Sequence, residues 1–336
     1  MAQRPTPEEN LKAIVSSPTY LRAYEDIGLL HRVELRPVRL QLELLKAEML
    51  LQEHAIESTV VLFGGSRITP TEEAERRVLA AQKAVDAAPD DEAAELELAI
   101  AKNLLKKSRY YDEARRFATI VSRMCQTAGR MHYVICTGGG PGVMEAGNRG
   151  AWHVAAKSIG MNITLPHEQA PNPYITPDLC FQFHYFAIRK MHLLLRAKAA
   201  VFFPGGYGTL DELFETLTLV QTVKMQPLPI VLLGEEFWNR IVDWDYLVEE
   251  GTIAPQDVEL FRICDTADEA WEFICHFHKT PELLPGEHLE EMMGVSPTKP
   301  LIRGVDGRVP DVARRKKKTA VGAARTKSAG KRKRAR

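Results

Sequence analysis

The chain has 336 residues and is 45% hydrophobic, enough for one substantial α/β core with sequence left over for appendages. It contains no run of about 18 apolar residues, and residues 1–20 lack the basic-then-apolar order of a signal peptide, so the sequence argues against a membrane span or export and cytoplasmic residence is expected. The net charge of zero hides an uneven split, because residues 312–336 hold 12 of the 44 Lys+Arg and no acid, leaving residues 1–311 at −12.

Five cysteines, Cys125, Cys136, Cys180, Cys264 and Cys275, are odd in number, widely spaced and free of CxxC pairing, which argues for reduced thiols rather than a disulfide framework. Residues 1–57 read as a helical extension, with Tyr24, Ile27, Leu29, Leu30 and then Leu40 to Leu51 recurring at roughly helical spacing. Thr59 to Phe63 is the first clear strand and ends in Gly64-Gly65-Ser66-Arg67. Residues 70–107, rich in Ala, Glu, Leu and Lys and broken at Ala88-Pro89-Asp90-Asp91, read as an insertion of two helices.

A helix from Tyr111 to Ala128 leads to a second strand, His132 to Cys136, and a second glycine turn, Thr137-Gly138-Gly139-Gly140-Pro141-Gly142. Lys157 to Ile163 is a third strand, followed by a proline-rich loop from Leu165 to Tyr174 long enough to wall a site. Cys180 to Phe186 reads as a strand and Ala187 to Ala197 as a helix bearing Arg189, Lys190 and Arg196. Ala199 to Phe203 is a buried strand that breaks into Pro204-Gly205-Gly206-Tyr207-Gly208-Thr209-Leu210-Asp211-Glu212 and reopens as a helix. Leu228 to Leu233 is a sixth strand, and acidic helices over Glu236–Glu250, Pro255–Leu260 and Ala267–Phe277 close the domain.

Strand, turn and helix alternate throughout, which predicts an α/β fold, a Rossmann-like parallel sheet with helices on both faces. The expected organisation is an N-terminal extension over 1–57, a nucleotide-binding catalytic domain over 58–285, a linker over 286–311 and a disordered basic tail over 312–336.

Three glycine turns after three strands point to a nucleotide or phosphate at the carboxyl edge of the sheet, although tight turns can also serve packing alone. Counted from Gly138, the G-x-G-x-x-G fingerprint meets Val143 where its last glycine belongs, and no G-x-x-x-x-G-K-[ST] occurs, which argues against dinucleotide and P-loop chemistry. Glu212 has two readings from spacing: Thr209-Leu210-Asp211-Glu212 fits a capping box, and the same carboxylate stands beside a phosphate cradle. Arg189 and Lys190 fit either solvated helix charges or phosphate contacts. Cys275-His276-Phe277-His278 lacks a fourth ligand at any usual metal-site spacing. The tail could contact nucleic acid or another polyanion through charge.

Pro204 to Glu212 resembles the PGGxGTxxE signature of the Lonely guy family, long labelled lysine decarboxylases, and Arg189-Lys190 is similar to its second element. Thr137 to Met144 and Gly64 to Arg67 resemble its glycine turns, so the likeness covers residues 58–280. It implies a phosphoribohydrolase that splits a nucleoside 5′-monophosphate, such as AMP or a cytokinin nucleotide, into free base and ribose 5-phosphate. It also implies a dimer or higher homo-oligomer and no metal or redox cofactor. Glu212 and Arg189 are then the expected catalytic pair, with Gly205, Gly206, Gly208, Thr209, Lys190, Gly139, Gly140, Gly142 and Ser66 holding the substrate. The rival reading is a non-catalytic carrier of a nucleotide or of molybdenum cofactor, since such carriers resemble this fold.

Overall fold

The computed structural model describes residues 4–126, 131–165 and 170–283. The expected linker, the basic tail and part of the proline-rich loop (166–169) lie outside the described residues. Three helices open the described chain: α1 (Pro7–Val15), α2 (Ile27–Leu30) and α3 (Arg36–Glu53). The first two bury no residue, and α3 buries only Ala47 and Leu51.

Thr59–Phe63 is buried at every position, as a strand covered on both faces must be, and forms the central strand β1. It is followed by α4 (Thr71–Ala87), α5 (Glu92–Lys107), α6 (Arg109–Cys125) and β2 (Val134–Thr137). Next come α7 (Val143–Trp152), β3 (Ser158–Ile163), β4 (Cys180–Phe183), α8 (Phe186–Leu195) and β5 (Ala197–Phe202). The remainder is α9 (Tyr207–Gln221), β6 (Ile230–Leu233), α10 (Glu235–Ile241), α11 (Trp244–Glu249), β7 (Phe261–Cys264) and α12 (Ala267–His278).

The strands form one sheet in the order β4-β3-β2-β1-β5-β6-β7, and every pairing is parallel. The order reverses between β1 and β5, the position where open α/β sheets leave a crevice at their carboxyl ends. Register brings three strand ends to that crevice together: Phe63 pairs with Phe202, and Leu62 pairs with both Val201 and Thr137. The rings of Phe63 and Phe202 stack at 4.8 Å directly beneath the turns. Such a pair contributes about 1 kcal/mol beyond the area it buries, and here it locks the register that the site depends on.

The sequence reading needs local corrections. Phe261–Cys264 is a seventh strand that was not expected, and Pro255–Leu260 is a short 3-10 helix rather than an α-helix. The expected strand Cys180–Phe186 stops at Phe183, because Phe186 already begins α8. Ala197, expected to end that helix, begins β5.

Candidate active site

The three glycine turns form one continuous floor, tied together by Gly65. Its N–H donates to the Pro204 carbonyl at 2.9 Å, and its own carbonyl accepts from the Val143 N–H at 3.2 Å. Gly142 lies over this junction at φ +72°, a left-handed conformation that favours glycine. A Cβ there would collide with the Gly65 carbonyl and lie 2.7 Å from the Ser66 backbone. Ser66 itself is exposed at the rim.

The second turn is anchored from a distance. The buried Asn172, in the loop after β3, donates through Nδ2 to the carbonyls of Gly139 (3.2 Å) and Gly140 (3.1 Å) and to Asn148 Oδ1 (2.9 Å). Its backbone N–H adds a bond to the Gly139 carbonyl at 2.9 Å. Thr137 closes the network, donating to Asn148 Oδ1 at 2.7 Å and accepting from the Gly139 N–H at 3.0 Å. A fully satisfied buried network of this kind rigidifies the turn it holds.

Two helices open toward the floor without side-chain caps, α7 from Gly142 and α9 from Gly206. The first N–H groups of a helix have no partner inside it and carry partial positive charge, so an uncapped start is suited to an anion. A Cβ on Gly206 or Gly208 would meet nothing within 4 Å, whereas one on Gly205 would strike the Thr209 side chain. Gly205 is therefore required by packing, and Gly206 and Gly208 border open space. Tyr207 between them is 92% exposed, and Thr209 is buried.

The capping-box reading of Glu212 does not hold. The helix starts three residues earlier than that box requires, so Thr209 is its third residue and Gly206 its N-cap, with no side-chain capping bond. Glu212, on the second turn, is 5% exposed, and its Oε2 is buried without a hydrogen-bond partner among the described residues. Burial pushes its pKa up to about 7, against the opposing pull of Lys190 and Arg189.

Arg189 reaches the same space from α8. Its Nη1 lies 3.8 Å from Glu212 Oε1, and its Nε donates to the Met161 carbonyl at 2.7 Å. The guanidinium fits because residue 138 has no side chain: a Cβ on Gly138 would lie 2.5 Å from Arg189 Nη2. Burial pulls the pKa of Arg189 below its ordinary value, opposed by the Glu212 charge. Lys190 is already engaged, pairing with Glu215 at 2.6 Å and Asp211 at 2.9 Å. Burial works against its ammonium, but these bonds outweigh that and raise its pKa.

The structure thus brings Arg189, Glu212 and the turns at 64–66, 138–142 and 204–208 to one edge, with Lys190 turned to partners on α9. Reading the sequence missed Asn172, Asn148 and the Met161 carbonyl; the signal for Asn172 was a lone amide between Pro171 and Pro173. The Cys275 to His278 run does not converge: His276 Nδ1 bonds the Glu272 carbonyl, His278 Nε2 bonds the Lys198 carbonyl, and Cys275 is buried. Among the described residues no group of three or more His, Cys, Asp or Glu is placed to hold a metal ion, and no helix is long and apolar enough to cross a membrane.

Residues 144–274 match a family model described as "Possible lysine decarboxylase". The chain is 36% identical over 83 residues to cytokinin riboside 5′-monophosphate phosphoribohydrolase LOG3 of Arabidopsis thaliana, covering 24% of this chain and 38% of that protein. It is 33% identical over 115 residues to pyrimidine/purine nucleotide 5′-monophosphate nucleosidase of Escherichia coli K12, covering 30% of this chain and 24% of that protein. Both matches span well under two thirds of the relative's length. Among solved structures, the molybdenum cofactor binding protein of Rippkaea orientalis aligns over 66% of this chain and 98% of its own at 16% identity, with a TM-score of 0.39, below the level at which likeness of chain path bears on function. The residues that match the family model, 144–274, include both motifs, Arg189-Lys190 and Pro204 to Glu212, so this segment is similar to the domain described as possible lysine decarboxylase.

Proposed function

We propose that the chain hydrolyses the N-glycosidic bond of nucleoside 5′-monophosphates, releasing free base and ribose 5-phosphate. The observation that carries this reading is a buried carboxyl with a pKa of about 7, Glu212, beside Arg189 and on the second turn of a helix whose start is open to an anion. The 5′-phosphate sits at the start of α9, where Gly206 and Gly208 leave room and the first N–H groups donate. Thr209 and the turn at Gly139, Gly140 and Gly142 complete that cradle, with Ser66 at its rim.

Cleavage breaks the C1′–N bond, whose electron pair leaves with the base, and forms a bond from water oxygen to C1′. Positive charge grows on the ribose in the transition state, and the ionised Glu212 stabilises it from a site of low exposure. The same carboxylate takes a proton from the attacking water, a role suited to a pKa near the working pH; the departing base nitrogen takes a proton from solvent, and Glu212 then releases its own to solvent. Arg189 favours the ionised form of Glu212 and pairs with the anionic substrate. We also expect a homo-oligomer, and the exposed Val38, Leu42, Leu45 and Met49 along α3 offer it a surface.

Incubation with AMP and isopentenyladenosine monophosphate, followed by chromatography, tests the reading. Free base should appear. Tight nucleotide binding without turnover would instead favour the carrier of nucleotide or molybdenum cofactor.

A further inference from the structure

The helix that delivers Arg189 has no local cap. Phe183-His184-Tyr185, just before α8, offers none of the Ser, Thr, Asp or Asn side chains that normally accept from a helix start, and its N-cap Tyr185 makes no side-chain capping bond. The missing acceptor comes from 141 residues upstream: Glu43 Oε1 accepts from the His184 N–H at 2.8 Å, and Oε2 accepts from the Tyr185 N–H at 3.2 Å. Five residues further along α3, Glu48 holds the other end. Its two oxygens accept from Arg196, the C-cap of α8, at 2.6 and 2.5 Å. Arg39 adds a bond from Nε to Tyr185 Oη at 3.3 Å.

We propose that α3 is a clamp on the helix that carries Arg189, and that Glu43 is a positioning residue that sets where the guanidinium stands between Gly138 and Glu212. The turn that Glu43 caps is the one Arg189 is built on, since the Arg189 N–H donates to the Tyr185 carbonyl at 3.2 Å. Fraying that turn shifts Arg189 along the helix axis, where one residue of rise is about 1.5 Å. Displacements of that size are large for a catalytic site. Because α3 lies outside residues 144–274, the clamp is a feature of this chain beyond the matched family segment. The clamp rests on the proposed reaction only for its kinetic readout.

The test compares the full-length wild type with Glu43→Gln, which removes the anionic acceptor, Glu43→Asp, which shortens its reach, and Glu53→Gln at the exposed end of α3. Carboxyl NMR follows the titration of Glu212, assigned with Glu212→Gln. That carboxyl faces Arg189 and Lys190 from α8 and Asp211 and Glu215 on its own helix. In Glu43→Gln a displaced Arg189 opposes protonation less, so the Glu212 midpoint should rise. The kcat for AMP should fall about tenfold or more with KM within about twofold, because ordering rather than binding is lost. Glu43→Asp should recover part of both effects, and Glu53→Gln should change neither.

An unmoved Glu212 midpoint with unchanged kcat in Glu43→Gln, whatever its melting temperature, overturns the clamp. If the wild type itself releases no base, the proposed reaction fails and the Glu212 midpoint alone decides the clamp. Should Glu43→Gln not fold, the shortened Glu43→Asp carries the same comparison, with a smaller rise expected and an unmoved midpoint overturning the clamp.

Discussion

Arg189 Nη1 stands 3.8 Å from Glu212 Oε1, close enough for charge to act and too far for a hydrogen bond, while Glu212 Oε2 has no partner among the described residues. A pair built for stability would be bidentate and satisfied. This one leaves a buried carboxylate short of partners, which is how a site keeps an acceptor available for chemistry.

That arrangement has a thermodynamic signature. The folded-state pKa of Glu212 is raised from 4.5 to about 7, so its ionisation opposes folding: this contribution to stability is greatest below pH 4.5 and is lost as pH rises toward 7. Glu212→Gln cannot ionise. Relative to wild type it should gain stability between pH 5 and 8, by on the order of 2–3 kcal/mol at the upper end, while kcat falls about 10²-fold or more. Thermal melts across that pH range read the first effect and AMP turnover the second.

Gly138 should matter through what it leaves empty. In Gly138→Ala the new methyl meets Arg189 Nη2 at 2.5 Å and Met144 Sδ at 2.9 Å, both toward the ends of flexible side chains. The fold should survive with a small loss in melting temperature. Turnover should drop by about 10- to 100-fold as the guanidinium is pushed aside.

The glycines of the cradle should separate into two kinds. Gly205→Ala forces a contact with Thr209 and should destabilise the free protein by about 1–3 kcal/mol. Gly208→Ala meets nothing and lies inside a helix, so it should raise stability by about 0.5–1 kcal/mol. Gly206→Ala should leave stability near wild type. Both Gly206→Ala and Gly208→Ala should raise KM for nucleoside monophosphates, because the added methyl fills space assigned to phosphate; melts and steady-state kinetics together read the contrast.

Asn172→Ala removes the amide that holds Gly139, Gly140 and Asn148. The Gly140 carbonyl loses its bond, whereas the Gly139 carbonyl keeps the backbone N–H of residue 172 and Asn148 keeps Thr137, so the change should cost about 1–3 kcal/mol. Faster amide exchange at residues 139–142 and a raised KM should accompany the loss, measured by hydrogen exchange and kinetics.

The central strands were legible because burial on both faces leaves them almost wholly apolar, as in Thr59–Phe63 and Ile230–Leu233. β7 was not, because it is an edge strand with Arg262 exposed, and four residues of mixed polarity carry no clear period. The Thr209–Glu212 spacing suggested a cap, but a pattern of four residues does not fix where a helix begins, and this helix begins at Tyr207. Arg189 and Glu212 stood out as residue types near glycine turns. Their juxtaposition depends on the crossover from β4 at one sheet edge to β5 beside β1, which local spacing does not encode. The Asn172 anchor and the Glu43 cap join positions 33 and 141 residues apart, and no periodicity reveals such contacts.

The most direct test of the account measures adenine and ribose 5-phosphate together when the full-length protein is given AMP, with adenosine in parallel. The two products should appear in equal amounts from AMP, far more slowly from adenosine, which lacks the phosphate that the α9 start would hold, and about 10²-fold or more slowly with Glu212→Gln. Adenosine cleaved as fast as AMP, or no base released from any nucleoside monophosphate by folded protein, would contradict it.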